Sequence, residues 1–149
     1  TDFGFESEII DPCDYPLEAT KRKAHPEYSK KIEAADGYVI VVPEYNRGYP
    51  GELKMLLDST YTEYARKPVG ICGVSGGSMG GIRAVEQLKL TTISFQMIPI
   101  RESVYFGNVE ELFNEEGVLK DKEYDKRVQK FLEEMSWYSK VLKEAREQA

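Results

Sequence analysis

Tyr38-Val39-Ile40-Val41-Val42 is five apolar residues in a row, four of them β-branched, with no polar residue to mark a face turned to water. Such a run is too short for a buried helix. It reads as a strand buried on both faces, which means a parallel sheet with helices packed on each side. A second run, Val69 to Val74, has the same character, and Pro43 and Ser75-Gly76 close the two. Between them, Gly51 to about Tyr64 carries Leu53, Leu56, Leu57, Thr60, Tyr61 and Tyr64 along one helical stripe. After the second run, Ile82, Val85, Leu88 and Leu90 mark a helix that leads into the strand-like Thr92 to Ile98. Strand and helix alternate, so the strands are joined by right-handed crossovers.

The flanks extend the same plan. Phe3 to Ile10 mixes apolar and acidic residues and stops at Asp11-Pro12, as an edge or near-edge strand does. Pro26 stands at a first helical position, and Tyr28, Ile32 and Ala35 recur at helical spacing up to Asp36-Gly37. Residues 99–120 read as loop with one short helix near Val109 to Phe113, because Gly107, Asn108 and Gly117 interrupt them. Tyr124, Val128, Phe131, Met135, Tyr138 and Leu142 then trace a long closing amphipathic helix. The 149 residues suit a single domain over residues 1–149. In open sheets of this kind ligands sit beyond the carboxyl ends of the strands, which directs attention to the loops after Val42, Val74 and Ile98.

Whole classes of chemistry drop out on composition. One histidine, His25, and two cysteines, Cys13 and Cys72, do not make a structural zinc site or a disulfide scaffold, so no metal ligand is assigned. Two unpaired thiols fit a reducing, cytoplasmic setting, and no secretory leader is read at the start. The net charge of −6 disfavours nucleic acid as the main partner. No apolar run approaches the roughly 20 residues of a membrane span. Residues 37–100 alone carry more base than acid, six groups against five, and so are the stretch that invites an anion.

That stretch contains Ser75-Gly76-Gly77-Ser78-Met79-Gly80-Gly81, which follows a strand and opens a helix. Gly73-Val74-Ser75-Gly76-Gly77 fits the GxSxG pattern of a serine hydrolase, whose order is Ser, acid, His. The one histidine lies 50 residues before Ser75, so that reading fails. A nucleotide P-loop needs Lys then Ser or Thr after its last glycine, and Ile82-Arg83 stand there instead. What remains is a glycine-lined surface for a planar or anionic group, with Arg83 one turn into the helix as a possible positive partner. The other loop, Pro43-Glu44-Tyr45-Asn46-Arg47-Gly48-Tyr49-Pro50-Gly51, also leaves a strand and enters a helix. Tyr45 and Tyr49 can flank a ring, Asn46 and Gly48 can present backbone donors, and Arg47 can oppose negative charge.

Taken together these residues resemble the NAD(P)H-dependent FMN reductases of flavodoxin-like fold, which include quinone, azo-dye and chromate reductases. The resemblance rests on Ala35-Asp36-Gly37, Pro43-Glu44-Tyr45-Asn46, Pro50-Gly51-x-Leu53-Lys54, Asp58 and Lys67-Pro68. It continues through Ser75-Gly76-Gly77-x-x-Gly80-Gly81 with Arg83 and Gln87, and through Gly117-x-Leu119-x-Asp121. It implies a doubly wound, three-layer α/β/α sheet, with FMN and NAD(P)H as cofactors and a small-molecule electron acceptor. The cofactor-binding residues it implies are Pro43, Glu44, Tyr45, Asn46, Arg47, Gly48 and Tyr49 from one loop, and Ser75, Gly76, Gly77, Gly80, Gly81 and Arg83 from the other. Hydride transfer to a flavin needs orientation and charge stabilisation more than a general base, so no catalytic side chain is assigned. Glu44 and Asp58 read as loop or helix-cap groups rather than catalytic acids. The family also implies a homodimer or homotetramer.

The family's first strand and its Gly-Ser-x-Arg phosphate loop find no counterpart here, so the first βα unit of the fold is missing and four strands are expected in place of five. Either the sequence is a fragment of a longer protein or its first residues are repositioned, and without the phosphate loop FMN affinity should be poor. Arg47 and Gly48 stand where the family often has small polar residues, Met55 where it often has Asn, and Ser59 where it often has Trp. The expectation is an FMN-dependent oxidoreductase, and the competing reading is a non-catalytic flavodoxin-fold interaction module that has lost FMN phosphate binding.

Overall fold

The computed structural model describes residues 3–16 and 25–148. In chain order the elements are α1 (Pro26–Ala34), β1 (Tyr38–Pro43), α2 (Gly51–Leu57), β2 (Pro68–Val74), α3 (Ile82–Ser94), β3 (Ile98–Phe106), α4 (Val109–Leu112) and α5 (Glu123–Glu147). Among the described residues the sheet has three strands in the order β1-β2-β3, all parallel. Tyr38 pairs with Val69 at one end and Pro43 with Val74 at the other, so β1 and β2 finish level and deliver their loops side by side.

Two apolar layers enclose β2. Val42, Val69 and Ile71 pack with Ile32 of α1, Leu56 and Leu57 of α2, and Ala84, Val85 and Leu88 of α3. On the other face Cys72, Ile100 and Val104 pack with Tyr124, Phe131 and Met135 of α5. Helices on both faces make the expected three-layer α/β/α arrangement of flavodoxin-like type. A β-carbon at Gly70 would overlap the Phe131 ring, so the absence of a side chain there is what lets α5 settle onto the sheet.

Five local expectations are corrected. Phe3 to Ile10 forms no strand: these residues pair with none of the described strands and run without regular structure, joined to α1 by the Glu8–Lys31 ion pair at 2.6 Å. β1 is not buried on both faces, since α5 lies over β2 and β3 and leaves Val39 and Val41 49% and 64% exposed. The helix expected over Gly51 to Tyr64 ends at Leu57. Ser59 Oγ turns back to Leu56 O at 2.7 Å, and a separate 3₁₀ turn spans Thr62–Tyr64. The strand expected over Thr92 to Ile98 is instead the last turn of α3 and its exit. Thr92 Oγ1 donates to Lys89 O at 2.8 Å, Gln96 takes φ of 60°, and Met97 N–H returns to Thr92 O at 3.1 Å.

The strand itself lies further on, through residues expected to be loop. Pro99 pairs with Val69 but Ser103 with Ile71, so β3 spends four residues where β2 spends two. That bulge holds the charged Arg101 and Glu102, which breaks the apolar pattern a strand would show. Glu102 is tied down from α5: its N–H donates to Glu134 Oε2 at 2.8 Å, and its carboxylate meets Lys130 Nζ at 3.0 Å.

Hydrogen bonds lock α1 to the turn after α2. Tyr28 and Tyr64 share a buried hydroxyl contact of 2.6 Å, and Lys67 Nζ donates to Ile32 O and Glu33 O at 2.7 Å each. Glu63 accepts from Ser29 Oγ and from Tyr61 N–H, the latter at 3.1 Å. The Ser29 bond, reinforced by Thr60, holds the Glu63 carboxyl down to about 2 from an ordinary 4.5. A carboxyl depressed on folding contributes stability that is fully present above pH 4.5 and lost as pH falls toward about 2. Glu63→Gln should therefore melt earlier than the parent at neutral pH and show a flatter decline between pH 4.5 and 2, as read by thermal melts across that range.

Candidate functional site

Level ends of β1 and β2 place the two sequence-singled loops next to each other. Glu44, the first residue after β1, donates its N–H to Val74 O at 3.0 Å, extending the strand pairing by one step. Its carboxylate, 11% exposed, accepts from the Arg83 backbone N–H at 3.1 Å and from Arg83 Nη1 at 3.0 Å. Burial alone would raise this carboxyl, but the Arg83 hydrogen bonds and charge outweigh it and keep it below its ordinary range. Glu44 is thus the anion at the start of α3, where partial positive charge collects.

Tyr45 to Gly48 closes on itself, with Tyr45 N–H to Gly48 O at 2.9 Å and Gly48 N–H to Tyr45 O at 3.0 Å. Asn46 and Arg47 between them have φ of 49° and 71°. Two central residues in the left-handed region make a type I′ turn, which suits Asn but costs an arginine roughly 1–2 kcal/mol. Gln87 of α3 meets this cost with a hydrogen bond, Nε2 to Arg47 O at 2.9 Å. One turn further along, the Tyr49 hydroxyl meets Thr91 Oγ1 at 2.9 Å, and Thr91 in turn donates to Gln87 O at 3.2 Å. Residues 83, 87 and 91 fall on one helical face, so α3 grips the loop at 44, 47 and 49 in succession.

The second loop divides its glycines by purpose. Gly80 and Gly81 have φ of 58° and 78°, and a β-carbon on Gly80 would stand 2.7 Å from the Tyr105 carbonyl carbon. Both are demanded by the turn into α3, and by close packing on β3 at Gly80 and on β2 at Gly81. Gly76 and Gly77 are not: neither has positive φ, and a β-carbon on either would meet nothing within 4 Å. Their bare backbone faces open space, which a ring or an anion can approach. Ser75 is turned inward, with Oγ donating to Gly77 O at 2.8 Å.

Most of the sequence-assigned residues therefore come together, in unequal roles. Pro43 ends β1, and Tyr45 and Arg47 are exposed at the loop tip. The two arginines part company. Arg83 is neutralised by Glu44, whereas no described acidic group lies within 4 Å of the Arg47 guanidinium. Asp58, set aside as a cap, sits at the end of α2 with Lys54 Nζ at 2.5 and 2.6 Å. The third loop follows Phe106 rather than Ile98. Asn108 N–H bonds Gly77 O at 3.1 Å and Val109 N–H bonds Ser75 O at 3.2 Å, so this loop backs the open glycines. Thr91 carried no signal in the sequence, and Asn108 stood out only as a loop residue because the bulge in β3 conceals the strand end before it. A groove of about 670 Å³ lined by Ser29, Lys54, Asp58, Thr60, Tyr61 and Phe95 contains no residue of these loops.

The open glycine surface beside a turn with an unpaired guanidinium fits a planar group with an electron-rich edge. A family model described as NADPH-dependent FMN reductase matches residues 2–111. A quinone reductase of Pseudomonas putida is 32% identical over 126 residues, covering 76% of this chain and 68% of that protein. An NAD(P)H-dependent FMN reductase of Schizosaccharomyces pombe is 40% identical over 99 residues, 58% of this chain and 48% of its own length. Among solved structures, the flavoenzyme NAD(P)H:(acceptor) oxidoreductase FerB of Paracoccus denitrificans superposes with a TM-score of 0.68 at 25% identity, covering 76% of this chain and 65% of FerB. The chain spans about half the length of the yeast relative and about two thirds of the other two.

The division among the glycines is open to direct test. Gly80→Ala should lower unfolding free energy by more than about 1 kcal/mol, through positive φ and the Tyr105 contact, while Gly77→Ala should stay within about 0.5 kcal/mol of the parent in urea melts.

Proposed function

The chain belongs to the NADPH-dependent FMN reductase family, and we propose that it acts as an FMN-dependent oxidoreductase, passing a hydride from NAD(P)H through flavin to a small acceptor. The acceptor classes are a quinone, a free flavin, an azo compound or a metal oxyanion. One observation carries the reading: Gly76 and Gly77 are bare with no structural need to be, in a loop tied through Glu44 and Arg83 to the Asn46–Arg47 turn. Bound FMN supplies the two-electron chemistry that no side chain of this chain offers. The chain's own contribution is to bind and orient. Gly76 and Gly77 let the ring lie on backbone, Tyr45 and Tyr49 limit its tilt, and Arg47 opposes negative charge on its edge. Glu44 does not serve as an acid, because its carboxylate is held ionised against Arg83.

Two features support an assembly of copies, a homodimer or homotetramer. Leu90 and Ile93 project from α3 at 70% and 56% exposure, and both lie on the helix that carries the site. The free thiols of Cys13 and Cys72 support a cytoplasmic setting. Among the described residues no helix is long and apolar enough to cross a membrane. A single flavodoxin-like domain over residues 1–149 and a small-molecule partner, rather than nucleic acid, complete the reading.

Titration with FMN should give a bound flavin spectrum that bleaches on adding NAD(P)H, and Arg47→Ala should slow the bleaching about tenfold, equivalent to roughly 1.4 kcal/mol. A protein that leaves the FMN spectrum and fluorescence unchanged would sink the enzyme reading, and an unaltered rate in Arg47→Ala would end that residue's role. Sedimentation at micromolar concentration should show a dimer or larger species, and a monomer there would remove the assembly.

A further inference from the structure

We propose that Gln87 is a positioning residue that acts through the Asn46–Arg47 turn: its amide holds Arg47 in the left-handed conformation and so keeps the turn's backbone in place for the ligand. The link to the ligand rests on the flavin reading, whereas the anchoring of the turn does not.

Arg47, at φ of 71°, is in a conformation that asparagine or glycine adopts readily and arginine does not. The turn's own two hydrogen bonds, Tyr45 N–H to Gly48 O and Gly48 N–H to Tyr45 O, close its base but do not touch Arg47. The Arg47 carbonyl is bonded by Gln87 Nε2 at 2.9 Å. Gln87 is otherwise an exposed residue in the middle of α3, away from the core-facing Ala84, Val85 and Leu88. A β-carbon on Gly48 would stand 3.4 Å from Gln87 Oε1, so the amide lies close over the turn. The neighbouring grips at Arg83–Glu44 and Thr91–Tyr49 fix the two ends of the loop, and among the described residues Gln87 alone bonds its strained centre.

If Gln87 acts by holding Arg47 left-handed, its loss should matter with arginine at 47 and not with glycine, which needs no holding. Gln87→Leu, Arg47→Gly and the double variant can be compared by amide hydrogen exchange at Tyr45 and Gly48 and by quenching of FMN fluorescence. Gln87→Leu should speed exchange at both amides and weaken FMN binding, each about tenfold, the equivalent of one hydrogen bond. Gln87→Lys, which keeps a donor, should recover much of both. In the Arg47→Gly background Gln87→Leu should change neither. Unchanged exchange in Gln87→Leu would overturn the proposal, as would an equal loss with glycine at 47, which would place the effect in α3 rather than the turn. If the parent protein does not quench FMN, the flavin reading fails, and the exchange measurement still decides whether Gln87 holds the turn.

Discussion

The rest of the structure depends on how closely two helical layers can approach β2. It is the one described strand with partners on both edges, and its faces carry Val69 and Ile71 on one side and Cys72 on the other. Where a side chain would keep the layers apart, the strand has glycine. At Gly70 the Phe131 ring of α5 occupies the space of a β-carbon, and at Gly73 the carbonyl of Gly80 does so from the opposite face. The second contact matters for the site. It draws the start of α3 tightly against the end of β2, and everything that α3 holds is then brought within reach of the neighbouring loop.

What α3 holds is the loop after β1, and the electrostatics follow from that grip. Two arginines lie within the candidate site, and by sequence either could oppose charge on a ligand. In the fold Glu44 takes one of them. Its carboxylate caps the start of α3 and pairs with Arg83, so this arginine joins two loops instead of facing a ligand. Arg47 keeps its charge uncompensated because the left-handed turn carries it to the exposed tip of the loop. The net result is a candidate site whose shape is set by hydrogen bonds to α3 and in which, among the described residues, Arg47 at the rim is the arginine without an acidic partner.

Much of this was legible in the residue order. The strands read at 38–42 and 69–74, the helix pattern of 124–142 and the proline at 26 each report a local preference that the fold keeps, although only the second strand is buried on both faces. Three of the segments that misled show the physical reasons. Thr92 to Ile98 looks like a strand, yet Thr92 is wholly buried in the helix with its hydroxyl bonded to Lys89 O. Arg101 and Glu102 look like a loop, yet the bulge puts them where α5 supplies Glu134 and Lys130 as partners. Phe3 to Ile10 mixes apolar and acidic residues and stops at Asp11-Pro12 as an edge strand does, but it joins no ladder of the sheet.

From the sequence alone came the fold class, the family resemblance and the two loops of the site, since strand burial, glycine content and turn residues are properties of short segments. Tertiary structure alone decided which glycines serve the fold and which leave room for a ligand, because positive φ and the proximity of Tyr105 are set by residues far away in the chain. It also decided that Arg83 is paired and Arg47 is not, and that Gln87 grips a turn 40 residues before it. Those are questions of distance between segments, and distance between segments is fixed only when the layers close on β2.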